Sequence, residues 1–264
     1  MNDGIIFKKD IEKVEGKFAL SNDFVRMPNS LTINALQILG MALSKIDFTK
    51  DYGQTIKVKF TFKELQEATG SKSNNLEFYK RSLDELQNKA ILKIDHGTYY
   101  RKTVLFPEVG LDNGVVELVF YNEVNQYIQK LAQNFTIYKI ANTHNFTSRY
   151  AYILYCNLWS WMNHDINREV SYDERQRYYT TKQLKDMFDL PIEAYCETLK
   201  NGKLHFKRQL FENKVIKVAV DEINQFSNLR VDWSKVKNGK RVEKYVFNFL
   251  RTDGYNNSLG INNQ

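Results

Sequence analysis

The sequence predicts an α+β fold built from two similar units in tandem, joined by a helical crossover. Three observations carry that reading: two threonine-led helix starts, a helix–turn–helix pattern after each, and alternating strands that close each unit. A chain of 264 residues with 42% hydrophobic content suits two domains of ordinary size, each with its own core.

The elements follow in order. A long apolar helix over Leu31–Ser44 leads the first unit. Thr61 then stands three residues before Glu64, the spacing of a capping box in which the hydroxyl accepts from a free first-turn N–H and the carboxylate reaches back. A turn at Gly70–Ser73 separates that short helix from a second, Asn74–Asn88, whose apolar stripe is Leu76, Tyr79, Leu83 and Leu86. Strands 91–95 and 98–106 flank His96-Gly97, and a further strand, VVELVF, follows Asp112-Asn113-Gly114.

The second unit repeats this grammar. A leading helix covers Ser148–Asn163, Thr180 precedes Gln183 in another capping box, and Asp189-Leu190-Pro191 makes the turn. Strands 229–233 and 243–249 flank a lysine-rich connection centred on Asn238-Gly239, a hairpin signal because both turn positions are expected at positive φ. Helix, turn, helix and β-hairpin make a winged helix. The expected borders are 1–130 and 131–251, with a loose polar tail at 252–264.

Between the second turn and those strands lies FENKVIKVAVDEIN, residues 211–224, which can be folded two ways. Ile216, Val218 and Val220 alternate with polar or small residues as in a half-buried strand, whereas Phe211, Val215, Val218, Ala219 and Glu222 share one helix face. The choice matters because of where the charge sits. The net charge is +7, yet residues 203–217 and 234–244 carry +4 each, which leaves −1 for all the rest. Such localisation is the footprint of a polyanion binder.

With these residues in view, the chain resembles the replication initiator proteins of theta-replicating, iteron-bearing plasmids. The segments that carry the likeness are SNDF (21–24), SLTINALQILGMALSKID (30–47), LVFYNEVNQYI (118–128) and FTSRYAYILYCNLWSWM (146–162). The most specific is the stretch ending in Glu222-Ile223-Asn224, followed by a strand and a Lys-Asn-Gly-Lys wing. The resemblance implies two winged-helix domains and favours the helix for FENKVIKVAVDEIN. It also implies a protein that binds repeated origin sites on double-stranded DNA as a monomer, opens a neighbouring A·T-rich segment and recruits host initiation and helicase-loading proteins. Dimers, in equilibrium with monomers and formed through the first domain, would repress its own promoter.

A recognition helix over residues 203–224 would bury Leu204, Phe211, Val215, Val218, Ala219 and Ile223. Lys203, Lys207, Lys214 and Lys217 would face phosphates, with Arg208, Gln209 and Asn213 able to pair with base edges. The wing would add Lys235, Lys237, Lys240, Arg241 and Lys244. The first unit offers Lys72, Asn74, Asn75, Lys80 and Arg81 as auxiliary contacts, although a simply solvated helix explains them as well.

Enzyme chemistry finds little support. His96, His144, His164 and His205 never form the His-apolar-His pair that a rolling-circle nicking enzyme uses to hold its metal, and Tyr178-Tyr179 is one pair among 16 tyrosines. No phosphate-cradling glycine loop occurs, and no cofactor is expected. A winged-helix transcriptional regulator is the main alternative, since fold alone does not separate the two. Cys156 and Cys196 suggest no disulfide framework, and the longest apolar run, near Tyr150–Cys156, is too short to span a bilayer. These features lead us to expect a bacterial cytoplasmic protein.

Overall fold

The computed structural model describes residues 16–27, 29–53, 55–69, 75–95, 98, 100–167 and 175–252. The first unit runs β1 (Lys17–Ser21), α1 (Asn22–Val25), α2 (Ile33–Ser44), β2 (Ile56–Thr61), α3 (Phe62–Thr69), α4 (Leu76–Lys89), β3 (Ile91–Asp95), β4 (Tyr100–Val104), β5 (Glu108–Asp112) and β6 (Val115–Phe120). The crossover is a 3₁₀ stretch, Asn122–Tyr127, followed by β7 (Phe135–Lys139). The second unit runs α5 (Arg149–Asn167), β8 (Gln176–Tyr179), α6 (Thr181–Met187), β9 (Cys196–Thr198), β10 (Leu204–Phe206), α7, β11 (Leu229–Asn238) and β12 (Arg241–Arg251). Helix α7 is continuous, passing from Arg208–Phe211 through a π-helical stretch, Glu212–Lys217, into Val218–Phe226.

Both capping boxes form. Thr61 Oγ1 accepts from the Glu64 N–H at 3.2 Å while Glu64 accepts from the Thr61 N–H at 2.7 Å. Thr180 and Gln183 repeat the exchange at 3.2 and 2.8 Å. In α4 Tyr79, Leu83 and Leu86 are buried, but Leu76 stands at the first turn and is 46% exposed, so the stripe begins one turn later than expected.

The two leading helices are buried nearly all round, as core helices are. In α2 the run Ile38–Leu43 is buried, and in α5 every residue from Ala151 to Ser160 is. They approach closely at Gly40, where a Cβ would lie 2.8 Å from the Tyr152 hydroxyl. One continuous core therefore runs through both units.

The sheets are small and antiparallel: β2-β6-β5, β3-β4, β1-β7 and β11-β12-β8. Strand β5 was not anticipated. It pairs with β6 through a two-residue turn in which Asn113 (φ 47°) and Gly114 (φ 78°) are both left-handed, the I′ signature. The wing turn differs, because Asn238 pairs with Arg241 and the central residues are Gly239 and Lys240. Only Gly239, at φ 57°, is left-handed there, so a II′-type turn replaces the expected pair of positive angles.

Chain pairing crosses the expected 130/131 border, since β7 pairs with β1 over its whole length. Arg149, at the start of α5, donates from Nε to Leu31 O at 2.9 Å and from Nη2 to both Asn29 O and Phe188 O, the latter at 2.9 Å. That guanidinium bonds the lead-in of α2 to the end of α6, and hydrogen bonds from a charged donor are worth about 1.5–3 kcal/mol each. Arg26 and Arg177 both lie over the Trp161 ring, at 3.4 and 4.3 Å from its centroid.

Candidate nucleic-acid interface

The helix expected to begin at Lys203 starts at Arg208. Residues 196–206 form a β-hairpin instead, with Leu204–Phe206 paired to Cys196–Thr198. The reason is local: Gly202 takes φ 77°, a left-handed conformation that ends a helix, and the Lys207 N–H closes the hairpin on Tyr195 O at 2.7 Å. Lys203 and Leu204 thus lie on the ribbon, Leu204 is 52% exposed rather than core, and Lys207 is the N-cap residue.

FENKVIKVAVDEIN is helical throughout, with a π-helical stretch at Glu212–Lys217. The buried positions are Phe211 and Glu212, Val215 and Ile216, Ala219 and Val220, then Ile223, a strict four-residue repeat. In a pure α-helix four residues turn through about 400°, so the stripe would drift by about 40° per repeat. The wider π turns absorb that drift. Ile216 and Val220 are consequently core, while Val218 is only half-buried.

Three polar side chains fix α7 from behind. Glu222 accepts from the Thr147 N–H and the Ser148 N–H, both at 3.0 Å, and from the Thr147 hydroxyl at 2.6 Å. Its carboxylate therefore sits at the N-terminus of α5, where a negative charge is favoured. Asn224 exchanges two bonds with the backbone of Val231 in β11, at 2.7 and 2.8 Å. Glu212, almost fully buried, accepts from Lys235 Nζ at 2.8 Å and from the Tyr245 hydroxyl at 3.1 Å. Burial, with the Glu212 charge beside it, holds the Tyr245 hydroxyl well above its ordinary range.

The outer face is polar and exposed: Gln209, Asn213, Lys214 and Lys217. Lys217 pairs with Asp221 at 3.0 Å, one turn on, and Lys207 pairs with Glu197 at 2.6 Å. Lys203, Lys214, Lys237, Lys240, Arg241 and Lys244 have no acidic partner among the described residues. Arg208 is half-buried, with its Nε enclosed and lacking a hydrogen-bond acceptor among the described residues, so it lies less open than Gln209 and Asn213. Lys235 is engaged by Glu212 and serves to position the wing.

The first unit is arranged differently. Asn75 is the N-cap of α4, its side chain accepting from the Glu77 N–H at 3.0 Å, and Lys80 pairs with Glu77 at 2.8 Å. Arg81 is exposed, and Lys72 and Asn74 lie outside the described residues. Among the described residues no group of three or more His, Cys, Asp or Glu is placed to hold a metal, and no helix is long and apolar enough to cross a membrane. Cys156 and Cys196 are both free, and burial pushes the Cys156 thiol well up.

Comparison with known proteins bears directly on this arrangement. The family model for the initiator replication protein WH1 domain matches residues 17–159, and that for the WH2 domain matches residues 180–249. The chain belongs to the plasmid replication initiator family. Its two winged-helix domains are the WH1 and WH2 of that family, and the first match extends through β7 into α5, in line with the β1–β7 pairing. Among solved structures it is similar to the Pi initiator protein in complex with iteron DNA, at 17% identity, a TM-score of 0.65, and coverage of 91% of this chain and 99% of that one. No curated protein sequence matches it.

The initiator's Glu222-Ile223-Asn224 triplet thus has a physical role at each position, and Asn224 offers the cleanest test. Asn224→Ala removes two bonds and leaves both Val231 backbone groups unsatisfied, which should cost about 2–3 kcal/mol in urea unfolding. Asn224→Asp keeps an acceptor for the Val231 N–H but turns a carboxylate oxygen toward the Val231 carbonyl, so it should be no better tolerated; a loss below about 0.5 kcal/mol for the alanine variant would contradict the anchoring role.

Proposed function

We propose that this initiator binds repeated sites in a plasmid origin through its second domain, promotes opening of the origin and recruits host replication proteins. The observation that carries the reading is the outer face of α7, where exposed Gln209, Asn213, Lys214 and Lys217 stand beside wing lysines without acidic partners. A relative solved with iteron DNA supports the choice of repeated origin sites over a single operator. Amides able to pair with adenine edges sit on the exposed helix, and lysines surround them, which is the division expected of base-reading and phosphate-binding groups.

In this reading the second domain, about residues 131–251, is the principal reading head, and the first, about 1–130, supplies dimerisation and auxiliary contacts from Asn75, Lys80 and Arg81. The paired charges of α4 support that asymmetry, since Lys80 and Lys89 are ion-paired within the helix. Strand β4 pairs only with β3 among the described strands and carries Tyr100, 65% exposed, which makes it an available edge for a second copy. Dimers joined there would repress the initiator's own promoter.

Titrations on the plasmid's own origin and on a scrambled duplex test the DNA reading. With about 6 to 8 phosphate contacts, log K against log[salt] should slope near −5 to −7. Asn213→Ala should lower discrimination between the two DNAs by about 1–3 kcal/mol, while Lys240→Ala weakens both equally and reduces the slope by about 1. Equal losses on both DNAs for Asn213→Ala would place the specificity residues elsewhere. For the dimer, sedimentation of Tyr100→Asp should show weakened self-association; an unchanged dimer would remove β4 from the interface.

A further inference from the structure

The DNA-facing end of the second domain carries two ribbons rather than one. The tip of the β9–β10 hairpin reads Lys200-Asn201-Gly202-Lys203, and the tip of the wing reads Lys237-Asn238-Gly239-Lys240, the same four residues in the same order. Both glycines are left-handed, at φ 77° and 57°. Every residue from Glu197 to His205 is exposed, as is every residue from Ser234 to Arg241. A two-stranded ribbon that buries so little adds little to stability.

Both tips lie at the same end of α7. Strand β11 runs antiparallel to the helix, with Val231 beside Asn224 and Lys235 beside Glu212. From Lys235 the wing continues to Asn238 for about 10 Å, whereas the helix has only about 6 Å left from Glu212 to Arg208. The wing tip therefore reaches past the helix N-terminus. The β9–β10 ribbon is rooted there, because its last residue is followed directly by the N-cap, Lys207. In helix-turn-helix proteins this is the end whose residues meet the bases.

The root is rigid. Phe206 and Tyr195 pack on the buried Phe211 ring, with centroids at 5.6 and 5.5 Å. Lys185, itself buried, donates to Ile192 O and Ala194 O, each at 2.7 Å. Glu197 is satisfied at the base by Lys207, so Lys200 and Lys203 at the tip have no acidic partner among the described residues.

We propose that the β9–β10 ribbon is a second phosphate-binding wing, so that two lysine-tipped ribbons from separate roots grip the DNA backbone around the N-terminal end of α7. This rests on the reading of α7 as the DNA-facing helix. The occupant is duplex DNA rather than a protein because the tip charge is uncompensated and the tip sequence is shared with the wing, although Leu199 and Leu204 on the ribbon are also exposed.

The test uses the full chain and a short duplex of arbitrary sequence over a range of salt. K200A/K203A and K237A/K240A should each reduce the magnitude of the log K–log[salt] slope by about 2, with the combined variant losing about 4, and K200R/K203R should restore the wild-type slope. All four side chains are exposed, so the substitutions leave the core untouched. A silent K200A/K203A beside an effective K237A/K240A overturns the second wing and leaves the reading of α7 standing. Silence of both overturns the two together. A K200A/K203A variant with altered self-association and an unchanged slope makes the ribbon a protein-docking element, which also overturns the proposal.

Discussion

Helix α7 is bonded from its inner face, which leaves Gln209, Asn213 and Lys214 on its outer face exposed. In this initiator Glu222, Asn224 and Glu212 hold α7 from its inner side: Glu222 to the start of α5, Asn224 to Val231 of β11, and Glu212 to Lys235 of β11 and Tyr245 of β12. Of the three only Glu212 is buried, and there the loss of a partner costs far more than the pair's net stabilisation. The inner face of α7 is thereby bonded to α5 and to both strands of the wing.

The same anchors set a polarity along the helix. Toward the C-terminus stand Asp221 and Glu222, whereas the N-terminal half exposes Gln209, Asn213, Lys214 and Lys217. The unpaired N–H groups of the first turn add positive character at that end. Placing the lysine-tipped wing and the β9–β10 ribbon there as well concentrates the favourable field where phosphates would pass.

Much of this was legible in the sequence because local chemistry dictated it. Thr61 and Thr180 cap as their spacing requires, whereas at Asn238-Gly239 only the glycine is left-handed and the turn centres on Gly239-Lys240. What escaped notice lacked a burial signal. The β9–β10 ribbon is exposed on both faces, so no alternation marks its strands, and only the glycine at 202 hinted that a helix could not begin at Lys203. The π stretch escaped for the opposite reason: pairs of buried residues every four positions fit neither a helix of 3.6 residues nor a strand of two. Leu76 shows a third cause, since an apolar residue in the right phase can still lie at a helix end with nothing to cover it.

The outer face of α7, with its flanking ribbons, is the proposed meeting point of the initiator with DNA. Backbone hydrogen exchange of the full chain, with and without an origin duplex, tests it most directly. Slowed exchange is expected over the first turns of α7 and at both lysine-tipped hairpins, with α4 much less affected. Protection confined to α4 and the first domain, with α7 and both tips exchanging as in the free protein, would contradict it.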